Sequence, residues 1–130
     1  MGITILVIDD HPVNLRLATQ VLLSEGHTVI QTEDAEQALA LLQTCMPDLV
    51  LTDIALPGMD GLELTRRLKA DPRYRHLPVV ALTASAMKGD EGRVLAAGCD
   101  AYIAKPLDTR TLAAQITRIH AAHRSPGTEA

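Results

Sequence analysis

The sequence predicts a doubly wound α/β domain, with a five-stranded parallel sheet between two layers of helices. Two observations lead to this fold class. Short apolar runs alternate with helical patterns five times along the 130 residues, and polar side chains follow most of these runs. Strict strand–helix alternation is typical of parallel sheets, because parallel strands need a long crossover connection. The length fits one domain with a substantial core.

The five predicted strands are short and aliphatic. They cover residues 3–8, 28–31, 49–51, 79–82 and 101–103. Near-continuous apolar runs of this length are typical of strands that are buried on both faces. We therefore expect the sheet to lie in the middle of the domain, with its strand ends exposed at two opposite edges.

The first two predicted helices carry clear start signals. Pro12 opens the first helix, where its missing N–H costs little, and an apolar stripe follows at Leu15, Ala18 and Leu22. Asp34 precedes the second helix and Gln37 lies three residues later, which resembles a capping box.

The remaining helices are predicted over 62–70, over 88–97 and after Asp108, which we expect to cap the last one. Gly89 and Gly92 weaken the fourth helix, and Gly98 is a typical C-terminal cap for it. The segment 124–130 contains Ser, Pro and Gly without an apolar pattern, so we expect a flexible C-terminal tail there.

Composition argues against several classes of function. The net charge is −4 and aromatic residues make up 2%, which disfavours direct binding of nucleic acid. No apolar run approaches the ~20 residues of a membrane span, and the first strand leads into two aspartates rather than a cleavage site. We therefore expect a cytoplasmic protein. Reduced, buried thiols at Cys45 and Cys99 are favoured over a disulfide, which stays open.

Polar residues collect at the carboxyl ends of four predicted strands. They are Asp9, Asp10, Asp53, Thr83 and Lys105. Ligands of open parallel sheets bind at this edge. Three carboxylates at one site repel each other unless a cation is present, and their hard oxygens suit Mg²⁺. A lysine can hold a phosphoryl oxygen and a threonine hydroxyl can donate to another. The pattern therefore predicts a divalent cation site with an anionic partner.

The same positions resemble the receiver domains of bacterial response regulators. The resemblance runs from Ile3 to about Ala121, and it rests on Asp9-Asp10, Asp53 followed by Pro57-Gly58-Met59-Asp60-Gly61, Thr83-Ala84 and Lys105-Pro106. It implies a flavodoxin-like (βα)5 fold with strand order 2-1-3-4-5, and a receiver domain over residues 1–123.

The resemblance also implies roles for these residues. Asp53 is the implied phosphoacceptor. Asp10 and Asp53, with the backbone carbonyl of Ala55, are the implied ligands of Mg²⁺, for which Mn²⁺ is the alternative, and Asp9 acts mainly through a water that the ion retains. Lys105 and Thr83 are implied to bind the phosphoryl group.

Three finer details come from the resemblance alone. Tyr102 matches an aromatic residue that rotates inward on activation, although an ordinary half-buried tyrosine is nearly as good an interpretation. Ala55 and Ser85 flank the site and influence the hydrolysis of the acyl phosphate. The Lys105–Pro106 bond is expected to be cis.

The function implied is that of a two-component signalling protein. Its phosphodonor is a histidine kinase or a histidine phosphotransfer protein, which we expect to dock near Asn14 and Leu107. Its output is a downstream target protein or a fused output domain, reached through the surface of the fourth helix, fifth strand and fifth helix. We expect no enzyme activity beyond its own phosphorylation and dephosphorylation, no membrane binding, and a monomer or a weak phosphorylation-dependent dimer.

Other functions remain as alternatives. A haloacid dehalogenase-type phosphatase needs a second aspartate two residues after the nucleophile, where Ala55 stands. A flavin-binding module needs a hydroxyl-rich loop after the first strand, where this chain has aspartates. A receiver-like interaction module that is never phosphorylated is the main alternative. The basic stretches Arg66-Arg67 and 73–76 are a solvated face or a docking patch, and His11 is a solvent-facing loop residue.

Overall fold

The computed structural model describes residues 2–83, 90–105 and 107–129. Strands and helices alternate through these residues in the predicted order. The strands are β1 Thr4–Ile8, β2 Thr28–Thr32, β3 Leu49–Asp53, β4 Val79–Thr83 and β5 Ala101–Ala104. The helices are α1 Pro12–Ser24, α2 Ala35–Leu42, α3 Gly61–Ala70, α4 Asp90–Ala96 and α5 Leu112–Glu129.

The five strands form one parallel sheet in the order β2-β1-β3-β4-β5, which confirms the predicted fold class and strand order. The chain moves outward from β1 in one direction to β2, and then crosses back to β3 on the other side. The carboxyl ends of β1 and β3 therefore flank the point where the strand order reverses, which is where such sheets bind ligands.

Each face of the sheet carries its own apolar layer, because successive side chains of a strand point to opposite faces. Leu6 and Ile8 of β1 face the layer under α2, α3 and α4, whereas Ile5 and Val7 face the layer under α1 and α5. All residues of β3 and β4 are buried. The buried sheet thus holds the polar ends of its strands together at one edge.

Two helices begin with an aspartate cap, and the sequence predicts the one at Asp34. The Asp34 side chain accepts a hydrogen bond from the Gln37 N–H at 2.7 Å, and Asp60 accepts one from the Glu63 N–H at 2.8 Å. The Gln37 side chain reaches back to the N–H of Glu33 at 3.0 Å, one residue before the cap itself. The capping interaction at α2 is therefore reciprocal, with a shift of one residue.

The ends of α4 and α5 differ from the predicted ones. Helix α4 ends at Ala96, and Gly98 with φ +105° confirms the predicted cap, while residues 88 and 89 lie outside the described residues. Helix α5 begins only at Leu112, because the Asp108 side chain accepts from the N–H of Arg110 and closes a turn first.

Helix α5 continues through the predicted tail as far as Glu129. The flexibility of this segment stays a prediction.

The two cysteines are free thiols in separate environments. Cys99 is buried and Cys45 is half-buried, so burial was predicted correctly only for Cys99. No helix in the described part of the chain is long and apolar enough to cross a bilayer.

Candidate functional site

Three carboxylates meet at the carboxyl edge of the sheet. Asp9 and Asp10 directly follow β1 and Asp53 ends β3, and each offers an oxygen within 4.8 Å of the others. Asp9 is 1% exposed and Asp53 6%, whereas Asp10 is exposed. The site therefore has two buried acids at its base and one at its mouth, and the three acids converge at the carboxyl edge as the sequence predicts.

The two buried carboxylates are oriented by their own loops. The Asp9 Oδ1 accepts the N–H of His11 at 2.9 Å, and the Asp53 Oδ1 accepts the N–H of Ala55 at 3.2 Å. Both bonds join a side chain to the backbone two residues on, the Asx-turn arrangement. One oxygen of each acid is thereby held by its own loop, and the Oδ2 atoms are left to face the site.

Lys105 lies between these Oδ2 atoms. Its Nζ is 2.9 Å from the Asp53 Oδ2 and 3.7 Å from the Asp9 Oδ2, and the lysine side chain is 17% exposed. The shorter contact is a charge-assisted hydrogen bond, whereas the longer one is an ion pair without a hydrogen bond. One ammonium group faces three carboxylates, so the cluster of these four side chains keeps a negative excess.

Burial and the negative excess disfavour the charged form of Asp9. Burial raises the pKa of its carboxyl above the usual range; the His11 N–H acts against this, and the charge of Asp53 adds to it. The Asp9 Oδ2 is buried and has no hydrogen-bond partner. Buried polar atoms in native proteins nearly always have a partner. A hard cation beside Asp9, Asp10 and Asp53 would supply one, so this donor set fits Mg²⁺.

Thr83 and Tyr102 lie on the strands next to the cluster. Thr83 is buried at the end of β4, where Leu82 is paired with Asp53 across the sheet. The Thr83 carbonyl accepts the N–H of Lys105 at 2.8 Å. Tyr102 is half-buried in β5, opposite Ala81, and packs against the core layer under α4. The structure thus brings the predicted threonine and lysine to the same edge as the acids.

A cleft of about 260 Å³ adjoins the carboxylates on the side of α1 and β2. Asp9 and Asp10 line it, together with Arg16, Gln31 and Glu33. Sequence reasoning missed these last three residues and the backbone contacts of His11 and Ala55. The Asx turns have a recognisable signal, an aspartate shortly before a proline loop, whereas Arg16 and Glu33 follow no motif. As predicted, the His11 side chain is exposed and lies outside the carboxylate cluster.

Part of the predicted site falls outside the described residues. This applies to Ala84, Ser85 and Pro106, and with Pro106 to the predicted cis bond.

Comparison with known proteins decides the family. The sequence model of the family described as response regulator receiver domain matches residues 5–117. The chain belongs to the response regulator receiver domain family. The polar-differentiation response regulator DivK of Brucella anthropi is 43% identical over 104 residues, which cover 80% of this chain and 85% of DivK. Receiver domains of this family interact with histidine kinases and with output or effector partners.

Solved receiver structures share the fold. The receiver domain of the sensor histidine kinase PA1611 from Pseudomonas aeruginosa PAO1 is 35% identical with a TM-score of 0.80, over 94% of this chain and 97% of that one, and it has a magnesium ion coordinated in its active-site cleft. The chemotaxis regulator CheY4 of Vibrio cholerae superposes with a TM-score of 0.86 over 92% of this chain and 99% of that one, at 24% identity. At that identity, CheY4 supports the receiver fold alone.

Proposed function

We propose that this receiver domain is a phosphorylation switch in which Asp53 accepts a phosphoryl group in a reaction that needs Mg²⁺. The contact that carries the proposal is the one between Lys105 and Asp53, beside an Asp9 oxygen that accepts no hydrogen bond. The lysine neutralises part of the charge at the acceptor, and the Asp9 oxygen is available to a cation. An acidic cluster that only bound a cation would need the available oxygen but not the lysine beside the acceptor.

The residues that would hold the ion are Asp10 and Asp53 directly, with the Ala55 carbonyl, and Asp9 at longer range. Asp10 is exposed at the mouth of the site, where it can meet a hydrated ion, and Asp9 is buried at the base. When bound, Mg²⁺ would neutralise charge on the transferring phosphoryl oxygens. Mn²⁺ accepts the same oxygen donors.

The side chains of this chain perform the remaining steps. An Asp53 oxygen attacks phosphorus in line, and the bond from phosphorus to the donor nitrogen breaks as the acyl phosphate forms. The Ala55 N–H fixes the Asp53 carboxylate, so that little reorientation is needed before attack. Lys105 exchanges its bond to Asp53 for one to a phosphoryl oxygen. Thr83, buried beside the acceptor strand, donates its hydroxyl to another.

Phosphorylation would change the surface through Thr83 and Lys105. A phosphoryl group adds about −1.5 to −2 charges and strong acceptor oxygens, which draw the threonine hydroxyl toward the site. Tyr102 on the neighbouring strand can then occupy the space that Thr83 leaves. The surface of α4, β5 and α5 is therefore the proposed output surface.

The partners that fit this reaction are a histidine kinase or a histidine phosphotransfer protein as donor, docking near Asn14 and Leu107, and a downstream target or output domain. Val13 beside Asn14 is 65% exposed, so the donor can reach an apolar side chain next to the site. Turnover would be limited to the domain's own phosphorylation and dephosphorylation.

Intact-mass measurement after incubation with acetyl phosphate tests the proposal. The wild-type chain and Asp53→Asn are compared, each with Mg²⁺ and with EDTA. We expect the mass of one phosphoryl group to be added to the wild-type chain only, and only with Mg²⁺. Equal addition to both proteins would contradict the acceptor assignment. No addition under any condition would favour the phosphorylation-independent interaction module.

A further inference from the structure

A basic segment on the far side of the domain has no role in phosphoryl transfer. From Glu63 to His76 the chain holds four arginines, Arg66, Arg67, Arg73 and Arg75, against two acidic side chains. Lys69 in the same segment is paired with Asp100 and is not counted. The whole chain has a net charge of −4, so this segment opposes the charge of its surroundings. It comprises most of α3 and the turn that leads to β4.

A shallow, mostly apolar groove of about 430 Å³, with Gln43 and Thr44 also in its lining, adjoins this basic segment. It lies between the end of α2 and the turn after α3, and its lining includes Leu42, Cys45, Met46 and Tyr74, with Arg73 on the basic side. Met46 is 48% exposed. A thioether on an adaptable side chain is well suited to contact an apolar group of a partner.

The floor of the groove is held in place. Tyr74 is 4% exposed, and its hydroxyl donates to the Leu42 carbonyl at 3.1 Å, which ties the turn to the last residue of α2. The Arg73 guanidinium lies 4.9 Å from the centre of the Tyr74 ring and 3.2 Å from the Asp71 carboxylate. A preformed groove and a preoriented arginine reduce the ordering cost of binding.

The arginines of α3 are also oriented. Arg66 and Arg67 both contact the Glu63 carboxylate, at 3.3 and 3.1 Å. Each keeps 57% of its side-chain surface exposed, and the guanidinium group has further donors for an external acid. One carboxylate shared between two guanidinium groups leaves a positive excess on this face.

We propose that this groove and the basic segment dock an acidic polypeptide segment of a partner protein, with one apolar side chain seated beside Met46. The positive excess calls for an acidic partner. A polypeptide is favoured over a nucleic acid because Tyr74 is buried and unavailable for stacking on bases. It is favoured over a membrane because the other large apolar residues that are exposed in the described part of the chain, Val13, Leu23 and Leu95, lie on α1 and α4 rather than beside Met46.

The surface is independent of the phosphoacceptor site. The groove residues 42–46 precede β3, and Arg73 and Tyr74 precede β4. Asp53 is at the opposite end of β3, so the length of the strand separates it from the groove, roughly 13 Å at 3.3 Å per residue. A partner held here would leave the carboxyl edge free for the phosphodonor. The proposal therefore stands or falls separately from the proposed phosphorylation.

The test is a titration of the isotope-labelled 130-residue chain with a twelve-residue peptide. The peptide consists of Asp and Glu with one central Leu, and binding is monitored through the amide chemical shifts of the protein. We expect saturable shifts in residues 42–46 and 66–76. Arg73→Glu and Met46→Ser should each weaken binding by about tenfold, the order expected when one interface anchor is lost. A peptide with Ser in place of Leu should bind as weakly as Met46→Ser does.

Arg110→Glu is the matched control, because Arg110 pairs with Asp108 in the same two-residue arrangement as Arg73 with Asp71. Equal weakening by Arg110→Glu, or shifts spread over the whole surface, would overturn the proposal as non-specific charge attraction. So would binding to phosphatidylglycerol vesicles without binding to the peptide. Concentration-dependent shifts of the same residues without peptide would assign the groove to a second copy of this chain. Phosphorylation by acetyl phosphate should be unchanged in Arg73→Glu.

Discussion

The backbone carbonyl of Thr83 accepts the N–H of Lys105 at 2.8 Å, so the two residues assigned to the phosphoryl group are hydrogen-bonded to each other. This bond joins the end of β4 to the residue after β5. A shift of Thr83 toward a phosphoryl group therefore acts on Lys105 and on β5 without any intervening side chain. The sheet itself thus connects the acceptor to the proposed output surface.

Replacing Thr83 by valine should separate phosphorylation from the conformational response. Valine keeps the shape and removes the hydroxyl, so Asp53 can still be phosphorylated while one bond to the phosphoryl group is lost. We expect hydrogen exchange of residues 90–104 to change on phosphorylation in the wild-type chain and to stay constant in Thr83→Val. Thr28→Val, at an exposed position of β2, is the control. An undiminished change in Thr83→Val would contradict the switch.

Replacing Lys105 by methionine should lower the free energy of unfolding of the metal-free domain and strengthen its binding of Mg²⁺. The ammonium is the positive partner of Asp53 at 2.9 Å, and loss of one member of a partly buried ion pair costs about 1–2 kcal/mol of unfolding free energy here, below the fully buried case. A more negative cluster attracts a divalent ion more strongly. Thermal unfolding with a Mg²⁺ titration measures both effects, and weaker Mg²⁺ binding in Lys105→Met would contradict the electrostatic account.

Asp9→Asn should stabilise the metal-free domain at neutral pH. Burial raises the pKa of Asp9 in the folded state, so the folded protein binds a proton more readily than the unfolded chain does. The contribution of this group to stability is then fully present below the unfolded pKa and is lost as pH rises through the folded pKa. An uncharged amide avoids that loss.

We expect the free energy of unfolding to rise by about 1 kcal/mol at pH 7, the order usual for a single stabilising substitution, and this gain to shrink toward acid pH. The measurement is urea unfolding of the wild-type chain and of Asp9→Asn, in EDTA, from pH 7 to acid pH. A gain that does not depend on pH would show that charge is not its cause. In saturating Mg²⁺ the order should reverse, because the wild-type chain gains a ligand that binds only the folded state.

Lys69→Met should destabilise the fold although the position is far from the site. The Lys69 ammonium donates to the carbonyls of Arg75 and Leu77 and to the Asp100 carboxylate, at 3.3, 2.8 and 2.9 Å, and its side chain is 19% exposed. Loss of these bonds should cost about 1–3 kcal/mol, since it leaves partly buried acceptors unsatisfied. Arg110→Met, at a position 87% exposed, is the control and should change chemical unfolding little.

The order of the elements could be read from the sequence because each element carries local signals. Asp34 caps its helix as its position before an apolar stripe predicts, and the residues of β3 and β4 are apolar up to Asp53 and Thr83 except for Thr52. The convergence of Asp9, Asp53 and Lys105 followed from topology, since parallel strands end at the same edge. The family resemblance then supplied the roles of these residues, which spacing alone does not determine.

Other features depend on contacts that leave no pattern. Nothing in the sequence around Lys69 indicates that its ammonium binds two carbonyls and Asp100, because these partners come from separate elements. The groove beside Met46 is equally invisible, since Tyr74 reaches across 32 positions to the Leu42 carbonyl.

The most direct test of the central claim is to locate the phosphoryl group on the chain. After incubation with acetyl phosphate and Mg²⁺, borohydride reduces an aspartyl phosphate to homoserine, and peptide mass mapping then identifies the residue. We predict homoserine at position 53, absent when EDTA replaces Mg²⁺, and none at positions 9 or 10. Homoserine at either neighbouring aspartate, or none at position 53 in a sample whose intact mass shows phosphorylation, would contradict the assignment of Asp53 as acceptor.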